Sequence, residues 1–534
     1  MISGVMKKLS VLRRVARLIR IDAATLAFIR HNRTLWESES PVSDKREVLF
    51  EFGALSTALI SYSYLANVLS RIHDAKIKAF IPAEQGLARI LPTVAHKVFR
   101  SFNTTEIFSV ELTAELEAER DSILSRIPIG ELSKVDLVDL VVDGVHIGDL
   151  VYDDHLRQHS VPTVDVRSSS FPQTMKECVG TFVFWRRYLD THNVCAVNVS
   201  HCVYHYGIIL RLAVARDIPV YQINATHGYR LSREIPWAYD EFYTYPAEFA
   251  KLSPEVQAAG LAEAEKRLAR RFGGEVGVDM AYSTKSAYGQ GNANRVIMES
   301  PRTKVFVALH CFFDNPHPYG IGYFADFHEW LTYLGEISKE TDYDWYLKTH
   351  PDFLPGNMEV IQGLLKRYEK FTLIPSDTSH HQIVSEGIDV ALTVHGTIGF
   401  EYAALGIPVV NASPCNPHIA YNFNLHSHSL EEYRTILMDL PSIDLKINIE
   451  EVYEYYYMRS IRGMDDWLLG DYQNFLDRVG GYSSQFTSRA YEEFLQGFTD
   501  ARHHLVLKSL RNFVDSEEYA FQHHHLPSCD RFAS

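Results

Sequence analysis

The sequence has no long apolar run, no paired cysteines and no excess of basic charge, and each absence removes a class of function. No stretch approaches the roughly 20 consecutive apolar residues that a membrane-spanning helix needs, so the chain is expected not to cross a bilayer. Its six cysteines, Cys178, Cys195, Cys202, Cys311, Cys415 and Cys529, are scattered without a CxxC pair. That argues against a disulfide framework and a zinc knuckle, and for a reducing compartment. With 52 Lys and Arg against 67 Asp and Glu, the net charge is -15. General nucleic-acid binding needs phosphate-neutralising basic surface, so nucleic acid is not an expected partner. HExxH, GxGxxG and GxxxxGK[ST] motifs are missing, which sets aside zincin, nicotinamide and P-loop ATP chemistry. Asp153-Asp154-His155 reads as polar surface, and neither a metal nor a bound cofactor is expected.

The exception to the acidic balance is the N-terminus. Residues 1–33 carry eight basic side chains against the single acid Asp22. On a helix, Val5, Leu9, Leu12, Ala16 and Ile19 form an apolar stripe beside Lys7, Lys8, Arg13, Arg14, Arg17 and Arg20. Two readings stand open: a peripheral helix on anionic lipid, or a basic helix docked on the acidic body of the protein. The stretch lacks the apolar core and cleavage site of a signal peptide. A cytoplasmic protein, peripheral on the inner membrane in the first reading, is expected.

At 534 residues, with 46% hydrophobic and 22% charged residues, the chain exceeds one ordinary core and has a globular composition. Strand-type and helical segments alternate from about residue 48: VLFEF (48–52), IKAFI (77–81), VDLVDLVV (135–142), NVCAVNV (193–199), IPVYQI (218–223) and EFYTY (241–245). The Gly, Ser, Tyr and Asn-rich stretch 273–294 reads as a linker. Alternation restarts with KVFVALH (304–310), DWYLKTHP (344–351), FTLIP (371–375), VALTV (390–394) and PVVNA (408–412). The expected fold class is α/β, with two Rossmann-like domains between an N-terminal basic helix and a C-terminal helical segment. The expected boundaries are 1–40, 41–290, 291–440 and 441–534.

In an open α/β sheet, ligands bind outside the carboxyl ends of the strands. The residues just beyond each predicted strand are therefore informative. His395-Gly396-Thr397 comes after VALTV, Thr349-His350-Pro351 after DWYLK, and His310 after KVFVAL; Asp143-Gly144 comes after DLVV, and Thr226-His227-Gly228 after IPVYQINA. Gly396 admits close backbone approach, Thr397 offers a hydroxyl, and the helix start beyond them presents free N–H groups, together a phosphate seat. Glu401, one turn on, is placed to accept ribose hydroxyls or else is a surface charge. His350 can serve a phosphate or a leaving group, with Lys348 as a second phosphate partner. Asp143 is the general-base candidate, provided burial raises its pKa; the competing reading is a plain Asp-Gly turn. His227 and His310 are assisting candidates or satisfied strand-end histidines.

LKTHPD (347–352) and TVHGTIGFEYAALGIPVVNAS (393–413) resemble the C-terminal half of bacterial surface-polysaccharide glycosyltransferases of the GT-B fold, a group that includes capsule polysaccharide biosynthesis proteins and Kdo transferases. The similarity spans about residues 300–435. It implies that His350 and His395 to Thr397 contact nucleotide phosphates. A looser resemblance is to bacterial sialyltransferases, which carry an acidic-acidic-Gly motif, an HP motif and a Ser/Thr motif. Here Val142-Asp143-Gly144, His350-Pro351 and Thr397 occur in that order, with Val142 in place of the first acid. That departure puts a CMP-linked donor in doubt and leaves UDP- or other NDP-sugars and CDP-polyols open. The resemblance implies metal-independent transfer from a nucleotide sugar to a glycan or glycolipid acceptor, with Asp143 and His350 catalytic. A nucleotide-sugar 2-epimerase and a non-catalytic membrane-associated assembly protein are the alternatives.

Overall fold

In a computed structural model the chain is described at residues 20–36, 45–82, 86–235, 242–289, 291, 294–350, 355–463 and 466–527. The predicted stripe from Val5 to Ile19 and Pro351 lie outside the described residues. The strands, in chain order, are β1 (Glu47–Glu51), β2 (Lys76–Ile81), β3 (Thr104–Ser109), β4 (Val141–Val142), β5 (Val145–His146), β6 (Val194–Asn198), β7 (Val220–Ile223) and β8 (Gly228–Leu231). They continue with β9 (Lys304–Ala308), β10 (Asp344–Lys348), β11 (Phe371–Leu373), β12 (Val390–Thr393), β13 (Val409–Asn411) and β14 (Leu425–His426).

Two six-stranded sheets result, ordered β3-β2-β1-β6-β7-β8 and β11-β10-β9-β12-β13-β14. Within each sheet the chain order is 3-2-1-4-5-6, that of a doubly wound Rossmann sheet. The second sheet is parallel throughout; in the first, only β7 and β8 run antiparallel. The expected α/β class with two Rossmann-like sheets is therefore present.

Why these segments form strands is visible in the second sheet. Val305 and Val307 pack into one apolar cluster with Trp330 and Leu334, while Phe306 packs into another with Tyr402 and Ile383. Successive residues thus enter opposite cores, and a sheet buried on both faces needs a nearly continuous apolar run. KVFVA supplies it.

The division into units differs from the expected linear boundaries. One compact unit comprises residues 1–127, 176–236 and 463–534, and the other 128–175 and 237–462. The chain passes between them four times, so contacts rather than sequence order define each unit. The late helices separate accordingly: Ile449–Tyr456 belongs to the second unit, Asp500–Ser516 to the first.

One predicted strand is absent and another is reduced to its last two residues, β4. VDLVDLVV begins as a helix, Lys134–Val138, because Ser133 and Asp136 form a reciprocal capping box: the Asp136 N–H donates to Ser133 Oγ and the Ser133 N–H to Asp136 Oδ2. EFYTY contains the single turn Phe242–Thr244. Conversely, β3 was not anticipated; its polar TTEIFS lies at the sheet edge. Asp153, Asp154 and His155, expected at a polar surface, are buried, because their helix, Gly148–His159, is packed into the second unit.

Candidate functional site

The second unit carries a cavity of about 140 Å³ at the carboxyl edge of its sheet, where β9 and β12 meet and the strand order reverses. Pairing of Lys348 with Ala308 and of Leu392 with Val307 ends the three central strands at one level. His310, Lys348, Thr349, His350, Thr393, Gly396, Thr397 and Glu401 consequently line one cavity. Register, not proximity in sequence, gathers them.

Lys348 is the unusual member. It is 3% exposed, and no carboxylate among the described residues pairs with it; Glu401 and Asp377 act on it only at longer range. Burial pushes its pKa down to about 8. Beside it, Thr349 Oγ1 is buried without a hydrogen-bond partner among the described residues. A buried cation and a buried hydroxyl with nothing to bond are what an anion would complete.

Glu401 is neither an exposed charge nor a free acceptor. At 2% exposure it takes Arg271 Nε at 3.0 Å on Oε1, where Arg271 Nη2 also donates, and Tyr288 Oη at 2.8 Å on Oε2. Both oxygens are committed to Arg271 and to the segment expected to be a linker. That segment is instead a wall: Glu275, Gly277, Met280, Ser283, Lys285, Ser286 and Ala287 line the cavity. A second carboxylate pins it, since Asp279 accepts from Arg267 at 2.7 Å and Tyr456 at 2.5 Å.

Gly396 also differs from its expected use. Its N–H donates to Thr393 Oγ1 at 3.1 Å, and a Cβ there would lie 2.8 Å from that oxygen. Close packing between the end of β12 and the turn therefore requires the glycine. The following helix, Ile398–Ala404, begins at Thr397, which lines the cavity.

His310, His395 and His380 at the cavity are desolvated, which lowers their pKa values. His310 accepts the Val394 N–H at Nε2 (3.3 Å) and stacks on Phe327 at 4.4 Å; burial and the neighbouring His395 and His350 hold its pKa well below the usual value. His395 lies behind it, rings 4.9 Å apart, its pKa pushed down to about 4 by burial. His350 is exposed at the mouth. His380, which sequence reasoning missed along with Arg271 and Tyr288, lines the cavity and bonds Tyr402 Oη at 2.8 Å.

Asp143 does not take its predicted place. With φ 47° at Asp143 and 82° at Gly144, the pair forms the two-residue turn between β4 and β5. Its carboxylate is exposed, outside the cavity, and lacks the burial on which its role depended. His227 belongs to the first unit, in a turn whose Thr226 and His227 N–H groups donate to Asn224 Oδ1. Among the described residues one group has metal-ligand spacing: Glu518, His524 and His525, in the first unit. No described helix is long and apolar enough to cross a membrane.

Neither a protein-family model nor a curated protein sequence matches this chain. Among solved structures, the KpsC beta Kdo 2,4 transferase of Thermosulfurimonas dismutans is similar at 14% identity and TM-score 0.31, over 49% of this chain and 79% of that one. UDP-GlcNAc 2-epimerase from Neisseria meningitidis is similar at 12% identity and TM-score 0.23, over 78% and 97%. A glycosyltransferase from Rickettsia africae is similar at 12% identity and TM-score 0.24, over 85% and 100%. The fold assignment rests on the strand order itself.

Proposed function

We propose that the protein is a metal-independent glycosyltransferase that moves a sugar from a nucleotide-activated donor to a growing surface glycan at the cytoplasmic face of the membrane. The observation that carries this reading is the meeting of buried Lys348, with no carboxylate paired to it among the described residues, and Thr349, whose Oγ1 has no partner among them, with His350, His310 and Thr397 at the switch point of a Rossmann sheet. Lys348 and Thr349 hold the donor phosphates, and Thr397 adds a hydroxyl. His350, at the mouth, stabilises the departing phosphate as the bond to the anomeric carbon breaks. Glu401 serves the site by fixing Arg271 and Tyr288, hence the wall. The motif resemblance at 347–352 and 393–413 favours the same class.

A thermal-shift panel of CMP, CDP, UDP and GDP tests the reading, because a ligand at 100 times its Kd adds about 2.7 kcal/mol of apparent stability. One nucleotide is expected to raise the melting temperature, and a flat panel counts against nucleotide binding. Incubation with the matching nucleotide sugar and no acceptor then separates two reactions. An isomerised donor would make the protein an epimerase; transfer only on adding glycan supports the transferase.

A further inference from the structure

The histidine run near the C-terminus belongs to the first unit, and the phosphate seat does not use it. The helix Asp500–Ser516 ends where Glu517 turns left-handed, at φ 60°, and the chain then runs along β8, the outermost strand of its sheet. There the Arg230 N–H donates to the Tyr519 carbonyl at 2.7 Å, and the Phe521 N–H to the Gly228 carbonyl at 2.8 Å. The segment covers an edge that would otherwise present unpaired backbone groups. Phe521, 2% exposed, anchors it, with the ring of Trp467 at 5.5 Å and that of Phe513 at 5.2 Å. A single turn, His523–His525, follows.

The turn brings Glu518 against two imidazoles. Glu518 Oε2 lies 2.7 Å from His524 Nε2 and 3.4 Å from His525 Nε2, and the three groups can offer ligand atoms that all lie within 4.8 Å of one another. Two imidazole nitrogens and a carboxylate oxygen are a ligand set that suits zinc. Ligands about 2.0–2.2 Å from a tetrahedral ion sit about 3.3–3.6 Å apart. The 3.4 Å pair already has that spacing, and the half-exposed His524 has room to open the shorter one. His525 is 3% exposed and held from behind, its Nδ1 3.0 Å from the Gln522 carbonyl oxygen. A proton on Nδ1, donated to that carbonyl, leaves the Nε2 lone pair facing Glu518, the backing that metal-bound histidines have. Nδ1 is also 3.0 Å from the Gln522 nitrogen and Nε2 3.0 Å from Ser516 Oγ, so without an ion the ring can hold the other tautomer. Asn512 Nδ2 donates to the His525 carbonyl at 2.8 Å and ties the turn to the helix. His523 is directed at another group, its Nε2 3.4 Å from Asp466.

We propose that Glu518, His524 and His525 bind one divalent ion of the zinc class, with water in the fourth position, and that the ion locks the C-terminal segment over the edge of β8. The spacing Glu-x5-His-His matches neither a CxxC nor an HExxH pattern, so the site arises only where Glu517 reverses the chain. Binding requires both imidazoles to be neutral. Burial, with His524 beside it, holds the His525 pKa below the usual value and favours that form. The inference is independent of the transferase reading, and the ion takes no part in the transfer proposed above.

Calorimetry of the chelator-treated full chain with zinc chloride and with magnesium chloride tests this, beside melting curves and hydrogen exchange of residues 228–231 and 517–526. The tightest zinc site is expected to weaken at least about tenfold in Glu518→Gln and in His524→Ala, and to stay within about threefold in His523→Ala. Magnesium, which prefers oxygen ligands, should give no response. Saturating zinc should raise the melting temperature by at least about 2 °C and slow exchange of the Arg230 and Phe521 amides at least about tenfold, because an ion bound only to the folded segment disfavours its opening. Both effects are expected in the wild type and in His523→Ala, and in neither of the other variants. The Glu518 and His524 side chains are 47% and 52% exposed, so both variants should fold. If either does not, cobalt in the wild type decides: the strong visible absorption of a four-coordinate ion supports the site, and a weak six-coordinate spectrum overturns it. No zinc uptake overturns the inference in favour of a plain ion pair. Unchanged affinity in Glu518→Gln and His524→Ala overturns it by moving the metal elsewhere. Equal loss in His523→Ala overturns it in favour of unspecific binding by the histidine run, and uptake without slower exchange overturns the lock. Each of these outcomes leaves the transferase reading where it stands.

Discussion

The two sheets have the same strand order and differ in how their carboxyl edges are finished. In the first unit, Glu51 at the end of β1 is buried, and Ser200 beyond β6 satisfies it twice: Ser200 Oγ reaches Oε1 at 2.5 Å and the Ser200 N–H reaches Oε2 at 2.8 Å. Gln222 adds a bond to the Ser200 carbonyl at 2.9 Å. In the second unit, the equivalent edge leaves Lys348 without a carboxylate and Thr349 Oγ1 without a partner among the described residues, beside an open cavity. The first edge is not fully closed either, since Asn198 at the end of β6 keeps Nδ2 and Oδ1 buried without a partner among the described residues; what distinguishes the second edge is that its unpartnered Thr349 lines an open cavity.

The largest break in this contrast is Glu401→Ala. It strands the buried Arg271 guanidinium, and breaking a buried pair by removing one partner costs about 3–5 kcal/mol. Denaturant unfolding of the second unit should show that loss, and nucleotide binding should weaken with it as the wall loosens. An unchanged denaturation midpoint would mean that Arg271 finds another partner.

Lys348→Met separates binding from stability. Nucleotide affinity should fall about 10- to 100-fold, which is about 1.4–2.7 kcal/mol. The ligand-free protein should melt about 2–4 °C higher, as expected for roughly 1 kcal/mol gained by removing an uncompensated buried charge. Calorimetry and a melting curve on one preparation decide it. If both fall, Lys348 is structural.

A smaller effect comes from pH. With its pKa depressed to about 8 in the fold, Lys348 loses its charge above that value while the unfolded chain still holds the proton up to about 10.5. Its contribution to stability therefore rises with pH between about 8 and 10.5. Nucleotide affinity should move the other way, falling up to tenfold per pH unit above 8. Lys348→Arg should flatten that slope, because an arginine stays charged.

Ser200→Ala, at the edge of the first sheet, should have the smallest effect on binding. Losing hydrogen bonds to a buried carboxylate costs about 1.5–3 kcal/mol of first-unit stability, and nucleotide affinity should not change. A change in affinity would show that the first edge also serves the ligand.

The apolar runs by themselves determined five of the six strands of the second sheet, all but β14, since a strand buried on both faces must read as KVFVA or VALT do. Strand-end position then picked out Lys348, Thr349, His350, Gly396 and Thr397 as neighbours. Tertiary structure decided what pattern does not encode. Residues 275–288 form a wall because Glu401, 130 residues beyond Arg271, anchors both Arg271 and Tyr288. Asp153 and His317 meet across 164 residues, and the burial of that pair belongs to the packed chain. Local propensity is written in neighbouring residues; burial and pairing are set by residues far apart in the sequence.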